Sequence, residues 1–119
     1  MDLENIFKGI YHGQRVLVTG HTGFKGSWLI EWLEALGAKT QGYSLSPKYQ
    51  PNHFELLKQH EGSTIGDIRD LDHISRLVES FAPTIIFHLA AQPLVRYSYE
   101  NPIETFQTNI MGTINVLEA

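Results

Sequence analysis

Three glycines that directly follow a short apolar segment constrain this chain most. Residues 16–18 read Val-Leu-Val, and after Thr19 come Gly20, Gly23 and Gly26, followed by apolar residues at helical spacing. A strand that turns at once into a helix needs the backbone freedom of glycine at the turn, and no Cβ where the backbone approaches a ligand. The first-turn N–H groups of such a helix attract anions. The pattern predicts a site for the diphosphate of a dinucleotide.

Two other interpretations of the glycines stay open at this point. The turn can be a tight strand–helix connection that binds nothing. It can also be the phosphate loop of a nucleotide hydrolase, but that motif matches these residues less well. That motif places glycine before lysine, whereas this chain has Lys25 before Gly26.

Hydrophobic periodicity predicts alternating strands and helices. The expected strands cover residues 15–19, 39–44, 63–66 and 84–88, and the expected helices cover residues 3–10, 24–36, 54–60, 71–81 and 102 onward. Such alternation is typical of α/β proteins with a doubly wound parallel sheet, in three αβα layers. Right-handed crossovers and a nucleotide loop after the first strand favour the strand order 3-2-1-4. The chain is predicted to be a partial, Rossmann-like fold.

Individual positions within these helices also carry predictions. Asp70 and Asn101 are expected to cap helices, Gly37 to end the first helix, and residues 89–100 to form a loop. Trp28 and Trp32 are predicted to belong to the core rather than to a stacking platform. An inward-facing apolar stripe is predicted on the last helix, formed by Ile103, Phe106, Ile110, Ile114 and Leu117.

Composition excludes several classes of function. The 119 residues carry a net charge of −4, which argues against a general nucleic-acid or anionic-membrane surface. The absence of cysteine excludes disulfides and thiolate metal sites. No apolar run reaches the ~20 residues that span a bilayer, and the acidic start is no secretory signal, so a cytoplasmic protein is expected. The last helix lacks a stop signal and the fourth strand is apolar, so we expect the N-terminal portion of a longer enzyme.

The motifs resemble those of the extended short-chain dehydrogenases/reductases that act on nucleotide sugars. The matching segments are Thr19-Gly20-x-x-Gly23-x-x-Gly26, Asp67-Ile68-Arg69-Asp70 and His88-Leu89-Ala90-Ala91. More narrowly, the chain is similar to the CDP-glucose 4,6-dehydratases. That resemblance is carried by residues 20–29, 42–45, 88–96 and Thr108-Asn109-x-Met111-Gly112-Thr113.

The resemblance implies roles for individual residues. It implies cofactor contacts for Gly20, Thr22, Gly23, Phe24, Lys25, Asp67, Ile68, Leu89, Ala90, Ala91 and Asn109, and the residue pattern itself adds Gly26 and Ser44 to the candidate cofactor residues. Asp67 is expected at the adenine amine, and Asn109 is expected to stabilise the backbone of the site. Gln92, Val95 and Arg96 are expected to face the substrate, CDP-glucose.

The same resemblance implies NAD and an internal redox cycle. Hydride leaves C4 of the sugar, water is lost across C5 and C6, and hydride returns to C6. No catalytic residue is assigned in this chain, because the family's Tyr and Lys pair is expected beyond Ala119. A homodimer formed through helices including the last one is also implied.

One departure from the common dinucleotide fingerprint leaves NADP open. No carboxylate stands ~20 residues beyond the glycines, where it would hold the ribose hydroxyls. Ser44 could accept those hydroxyls instead, and Lys48 could favour a 2′-phosphate.

Several polar residues have competing interpretations. His88 is predicted to be a buried structural group, whereas His21 could contact a ligand or serve the fold. His53 and His60 are expected at the surface, and Arg96 is either a solvated charge or a contact to the substrate diphosphate. Asp67, Asp70, Asp72 and His73 lack the spacing of calcium or zinc ligands, so no metal site is predicted.

Three alternative functions follow from the same residues. One is another epimerase or reductase of this superfamily, and a second is a non-catalytic domain that senses dinucleotides. A methyltransferase fits less well, because its site also requires an acidic residue after the second strand.

Overall fold

The computed structural model describes residues 2–57 and 62–119 and contains a four-stranded parallel sheet. The strands are β1 (Arg15–Thr19), β2 (Lys39–Ser44), β3 (Ser63–Ile65) and β4 (Ile85–His88). Their spatial order is β3-β2-β1-β4, and every pairing is parallel. The predicted strand order is therefore confirmed.

Helices cover both faces of the sheet. They are α1 (Phe24–Ala35), α2 (His53–Leu56), α3 (Leu71–Phe81), α4 (Val95–Glu100), α5 (Pro102–Phe106), a π-helical segment (Gln107–Met111) and α6 (Gly112–Glu118). The N-terminal segment Leu3–Gly9 forms short 3₁₀ turns rather than one helix, because Phe7 and Lys8 have left-handed backbone angles. The predicted helix over 54–60 is shorter, and its positions 58–60 lie outside the described residues.

Strand β1 separates two apolar cores. Its side chains alternate between the faces of the sheet, as the twofold period of a strand requires. On one face Val16 and Val18 pack with Ile30 and Leu33 of α1. On the opposite face Leu17 joins a cluster with Tyr43, Ile68, Ile74 and Val116. This arrangement gives the predicted three-layer αβα architecture.

The prediction that Trp28 and Trp32 belong to the core is wrong. They are 54% and 53% exposed, and α1 turns Gly26, Ile30 and Leu33 inward instead. The close contact of Gly26 with the glycine turn fixes the rotation of the helix about its axis. The two indole rings consequently lie along its outer side.

The predicted inward stripe on the last helix is also wrong. Its residues are between 47% and 82% exposed, whereas Gly112, Asn115 and Val116 are buried. Asn115 donates a hydrogen bond from Nδ2 to the Ile68 carbonyl at 2.9 Å, and a Cβ at Gly112 would lie 2.6 Å from Ile68. Small and polar contacts, rather than the apolar stripe, dock this helix on the sheet.

The local capping signals agree only in part with the structure. Asp70 caps α3 by accepting a hydrogen bond from the His73 amide at 3.0 Å, and Gly37 follows α1 with a left-handed φ of 83°. Asn101 occupies the N-cap position of α5 without a capping hydrogen bond from its side chain. The predicted loop over 89–100 contains α4. Among the helices of the described residues, none has the length and apolarity needed to cross a membrane.

Candidate functional site

At two positions of the glycine turn between β1 and α1, close contacts with neighbouring backbone atoms leave no room for a side chain. Gly20 has a φ of +79°, and a Cβ there would lie 2.8 Å from the Ala90 nitrogen. A Cβ at Gly26 would lie 2.1 Å from the Gly20 carbonyl oxygen. The turn thus packs directly against both the first helix and the segment that follows β4.

The start of α1 opens toward a cleft. Gly23 occupies the N-cap position with an extended backbone, and Gly23, Phe24 and Lys25 are exposed. The first N–H groups of a helix have no partners within it, and they carry the positive end of the helix dipole. The cleft of about 690 Å³ is lined by Thr22, Gly23, Phe24, residues 45–49, Pro51, Asn52, His53, Leu56 and Ala91.

Thr22 ties the turn to the end of β2. Its hydroxyl donates to the Leu45 carbonyl at 2.7 Å and lies 2.9 Å from the hydroxyl of Ser44. Since the single proton of Thr22 goes to Leu45, Ser44 donates to Thr22. The lone pairs of Ser44 can then accept hydrogen bonds from a ligand. The Thr22 side chain is itself buried, so its backbone is the part that can contact a diphosphate.

His21 faces the sheet rather than the cleft. The side chain is fully buried, and its Nε2 lies 2.7 Å from the hydroxyl of Ser63. A Cβ at Gly42 would lie 2.2 Å from the imidazole, which also meets the Phe54 ring edge-on at 5.2 Å. Of the two interpretations left open by the sequence, the geometry supports the structural one.

A hydrogen-bonded chain through Thr19 fixes the segment after β4. The Thr19 hydroxyl oxygen accepts from the amides of Leu89 and Ala90 at 3.1 and 3.2 Å and lies 2.6 Å from His88 Nδ1. Because both amides are donors, the hydroxyl proton goes to His88. The proton of that imidazole is then on Nε2, which lies 3.2 Å from the Thr113 hydroxyl. Burial lowers the pKa of His88, which favours this neutral form.

The roles of Thr19 and Thr113 were missed by sequence reasoning. The apolar pattern marks Thr19 as the end of a strand, but its partners lie far along the chain. The expected structural role of His88 agrees with these contacts.

Asn109 in the π-helical segment pairs with the backbone of Gln92. Its Oδ1 accepts from the Gln92 amide at 2.7 Å, and its Nδ2 donates to the Gln92 carbonyl at 3.0 Å. The side chain of Gln92 accepts from the Leu94 amide and donates to Thr105. Gln92 was expected to face a substrate, but its side chain stabilises the loop to which it belongs. The contacts of Asn109 agree with its expected role of stabilising the backbone.

Asp67 lies two residues after β3 and pairs with Arg69. The guanidinium and the backbone amide of Arg69 both donate to the carboxylate, with the shortest contact at 2.6 Å. These hydrogen bonds hold the pKa of Asp67 below its ordinary value, so it stays charged. The Asp67 carbonyl accepts a hydrogen bond from Tyr43 at 2.8 Å. The side chain of Ile68 is buried in the core, so only its backbone can contact a ligand.

The expected substrate residues on α4 face solvent. Val95 is exposed, and the Arg96 side chain is 95% exposed, with its Nε 3.8 Å from Glu100. Across the cleft, the Lys48 ammonium lies 5.6 Å from the ring centroid of Tyr97. Lys48 therefore points toward α4.

Known proteins share both the sequence and the fold. The profile of the family described as GDP-mannose 4,6 dehydratase matches residues 17–119. The chain is 52% identical over 115 residues to CDP-glucose 4,6-dehydratase of Salmonella typhimurium, a match that covers 95% of this chain and 32% of that protein. This identity confirms the resemblance found in the motifs.

Solved structures agree. A UDP-glucose 4-epimerase of Thermus thermophilus in complex with NAD superimposes with a TM-score of 0.73 and 35% identity, over 87% of this chain and 32% of that one. The epimerase Mth375 of Methanothermobacter thermautotrophicus gives a TM-score of 0.78 and 30% identity, over 99% of this chain and 33% of that one.

This chain spans about a third of the length of these proteins. The profile covers most of it, including the glycine turn, Asp67 and the segment after β4. The chain therefore belongs to the GDP-mannose 4,6-dehydratase family.

Proposed function

We propose that this chain is the NAD-binding part of a nucleotide-sugar 4,6-dehydratase that acts on CDP-glucose. The observation that carries the proposal is the glycine turn, which packs tightly against α1 next to the exposed start of that helix. An anion site formed by such a turn and the first amides of a helix suits the diphosphate of a dinucleotide. The 52% identity to a CDP-glucose 4,6-dehydratase supports the choice of substrate.

The residues present fit a dinucleotide. The start of α1 at Gly23, Phe24 and Lys25 would hold the diphosphate, and Ser44 would accept the ribose hydroxyls through its lone pairs. The NAD complex of the Thermus thermophilus epimerase supports NAD as the cofactor, and Lys48, whose ammonium lies 5.6 Å from the centroid of the Tyr97 ring, lines the same cleft.

Further contacts would complete the cofactor site. The charged Asp67 would accept a hydrogen bond from the adenine amine, beside the backbone of Ile68. The small residues Ala90 and Ala91, with Leu89, would pass beneath the ribose and the diphosphate. Thr19 and Asn109 would keep this segment in place through their hydrogen bonds.

NAD supplies reversible hydride transfer, so that oxidation at C4, loss of water across C5 and C6 and reduction at C6 leave no net oxidation. This chain would bind and orient the cofactor, and Arg96 would attract the diphosphate of the sugar nucleotide. We assign proton transfer to the family's Tyr and Lys pair, which the resemblance places after Ala119. The exposed apolar stripe of α5 and α6 supports the expected homodimer.

The test is an assay of the full-length protein that carries this sequence. With CDP-glucose and NAD, we expect a 4-keto-6-deoxy sugar product, which absorbs light in alkali. GDP-mannose and dTDP-glucose serve as matched substrates and should give much less product. Calorimetry should show tighter binding of NAD than of NADP.

Other outcomes would identify the alternatives. Interconversion of C4 epimers, without loss of water, would favour an epimerase, a possibility supported by the fold of the Thermus thermophilus enzyme. Binding of NAD with no turnover of any nucleotide sugar would favour a sensing domain. Absence of NAD binding would contradict the proposal itself.

A further inference from the structure

One side of the cleft is formed by residues 45–56, which we call the cleft wall. Its residues that line the cleft include Leu45, Pro47, Tyr49, Pro51, His53 and Leu56. The wall ends in α2, a single turn of four residues that Asn52 caps by accepting from the Glu55 amide at 2.9 Å. One turn of helix is not stable by itself, so contacts with other elements must fix its position.

His53 makes the polar contact between this wall and α1. Its Nδ1 lies 2.7 Å from the hydroxyl of Ser27, which is fully buried. Its ring stacks on Trp28, with centroids 4.1 Å apart and planes at 19°. Ser27 also donates to the Phe24 carbonyl at 3.0 Å, so His53 is the donor in the bond to Ser27. His53 is thus half-buried and hydrogen-bonded, whereas a surface position was expected from the sequence.

The two residues that hold His53 lie directly after the start of α1. Ser27 and Trp28 follow Gly23, the N-cap of the helix whose first amides would bind the diphosphate. Phe54, beside His53, meets the ring of His21 within the glycine turn. Neighbouring residues of α2 are therefore attached to both the turn and the helix of the same anion site.

We propose that His53 is a positioning residue for the dinucleotide. Through Ser27 and Trp28 it holds the cleft wall at the distance from the start of α1 that the bound cofactor requires. This inference rests on the proposed binding of NAD. His53 acts on the cofactor through the wall, and its effect is on affinity.

The experiment measures NAD affinity by calorimetry in the full-length protein. Ser27→Ala removes the hydroxyl, and His53→Phe keeps a ring for Trp28 but loses the hydrogen bond. Loss of one hydrogen bond should weaken NAD binding by about 10-fold in each variant. The double variant should also be weaker by about 10-fold, because both changes break the same bond.

Two further variants distinguish a loss of the positioning role of His53 from a general loss of folding. His53→Asn places an amide donor near the position of Nδ1, and it should restore affinity to within about 3-fold of the wild type. Glu55→Gln changes an exposed residue of the same helix that does not line the cleft, and it should leave affinity unchanged.

Each result has one interpretation. A wild-type protein that fails to bind NAD would refute the proposed function. Wild-type binding with equally tight binding by Ser27→Ala and His53→Phe would overturn the role of His53. A double variant weaker by about 100-fold, or no recovery in His53→Asn, would overturn it as well.

Discussion

Replacing Gly26 with alanine tests the tightest contact of the glycine turn. The new methyl carbon would lie 2.1 Å from the Gly20 carbonyl oxygen and 2.9 Å from the Cα of His21. Both neighbours are backbone atoms that cannot rotate away, as a flexible side chain could. Helix α1 must therefore move away from the turn by about 1 Å to accept the methyl group.

Two opposing terms set the magnitude. Alanine is preferred over glycine inside a helix by about 1 kcal/mol. Overpacking costs about 1–3 kcal/mol, and the upper end applies because the neighbours belong to the backbone. We expect Gly26→Ala to lower the free energy of unfolding by about 2 kcal/mol. Displacement of the start of α1 should also weaken NAD binding by at least about 10-fold.

Urea unfolding and calorimetry with NAD check both effects, and two other glycines provide controls. Gly13 has a φ of +71° in open space, so Gly13→Ala should cost about 1 kcal/mol of stability without changing NAD affinity. At Gly23 the added Cβ would lie 3.3 Å from the Gly20 oxygen, which predicts a smaller loss of stability than in Gly26→Ala; only its stability serves as a control, because Gly23 itself would contact the diphosphate. Wild-type stability and affinity in Gly26→Ala would refute this reasoning.

Three further predictions concern buried polar contacts. Thr19→Val should destabilise the fold by about 1–3 kcal/mol in urea unfolding, because the Ala90 amide and the His88 imidazole lose their partner, whereas Thr19→Ser should stay near the wild type. Asn109→Leu should cost about 1–3 kcal/mol by the same measurement, since the amide and carbonyl of Gln92 lose their partners. Burial, together with the charges of Asp70 and Asp67, raises the pKa of Tyr43 from 10.0 to about 12. The folded state keeps this proton where the unfolded state loses it, so stability falls as pH rises between these two values. Tyr43→Phe should remove that fall when unfolding is compared at about pH 9 and about pH 11.

The sequence was sufficient to predict the sheet because the signals that locate each strand lie within one short segment of the chain. Apolar segments locate the strands, and the right-handed crossover rule then allows few orders. The glycine spacing likewise identified the turn, since only glycine fits at Gly20 and Gly26. The capping residue Asp70 acts three residues away, within reach of a sequence pattern.

The failures share a different physical cause. Helical periodicity shows that apolar residues share a face, but not which neighbour covers that face. On α1 the contact of Gly26 decides the rotation, and on α6 the contact of Gly112 does so, leaving Trp28 and Ile114 outside. The partners of His53 and Gln92 depend on distances between separate elements, and no motif encodes them.

The two neighbours of β1 differ greatly in their separation along the chain. Val16 pairs with Thr40 in β2 and with Ile85 in β4, and closing the longer loop costs on the order of 1 kcal/mol more entropy. We therefore expect the unit β1–α1–β2 to assemble first during folding, with β4 joining later. Ile30→Val should then slow folding, whereas Ile85→Val should mainly speed unfolding. The glycine turn that would bind the diphosphate would therefore form early. The segment after β4, which packs against this turn, would join it in a second step.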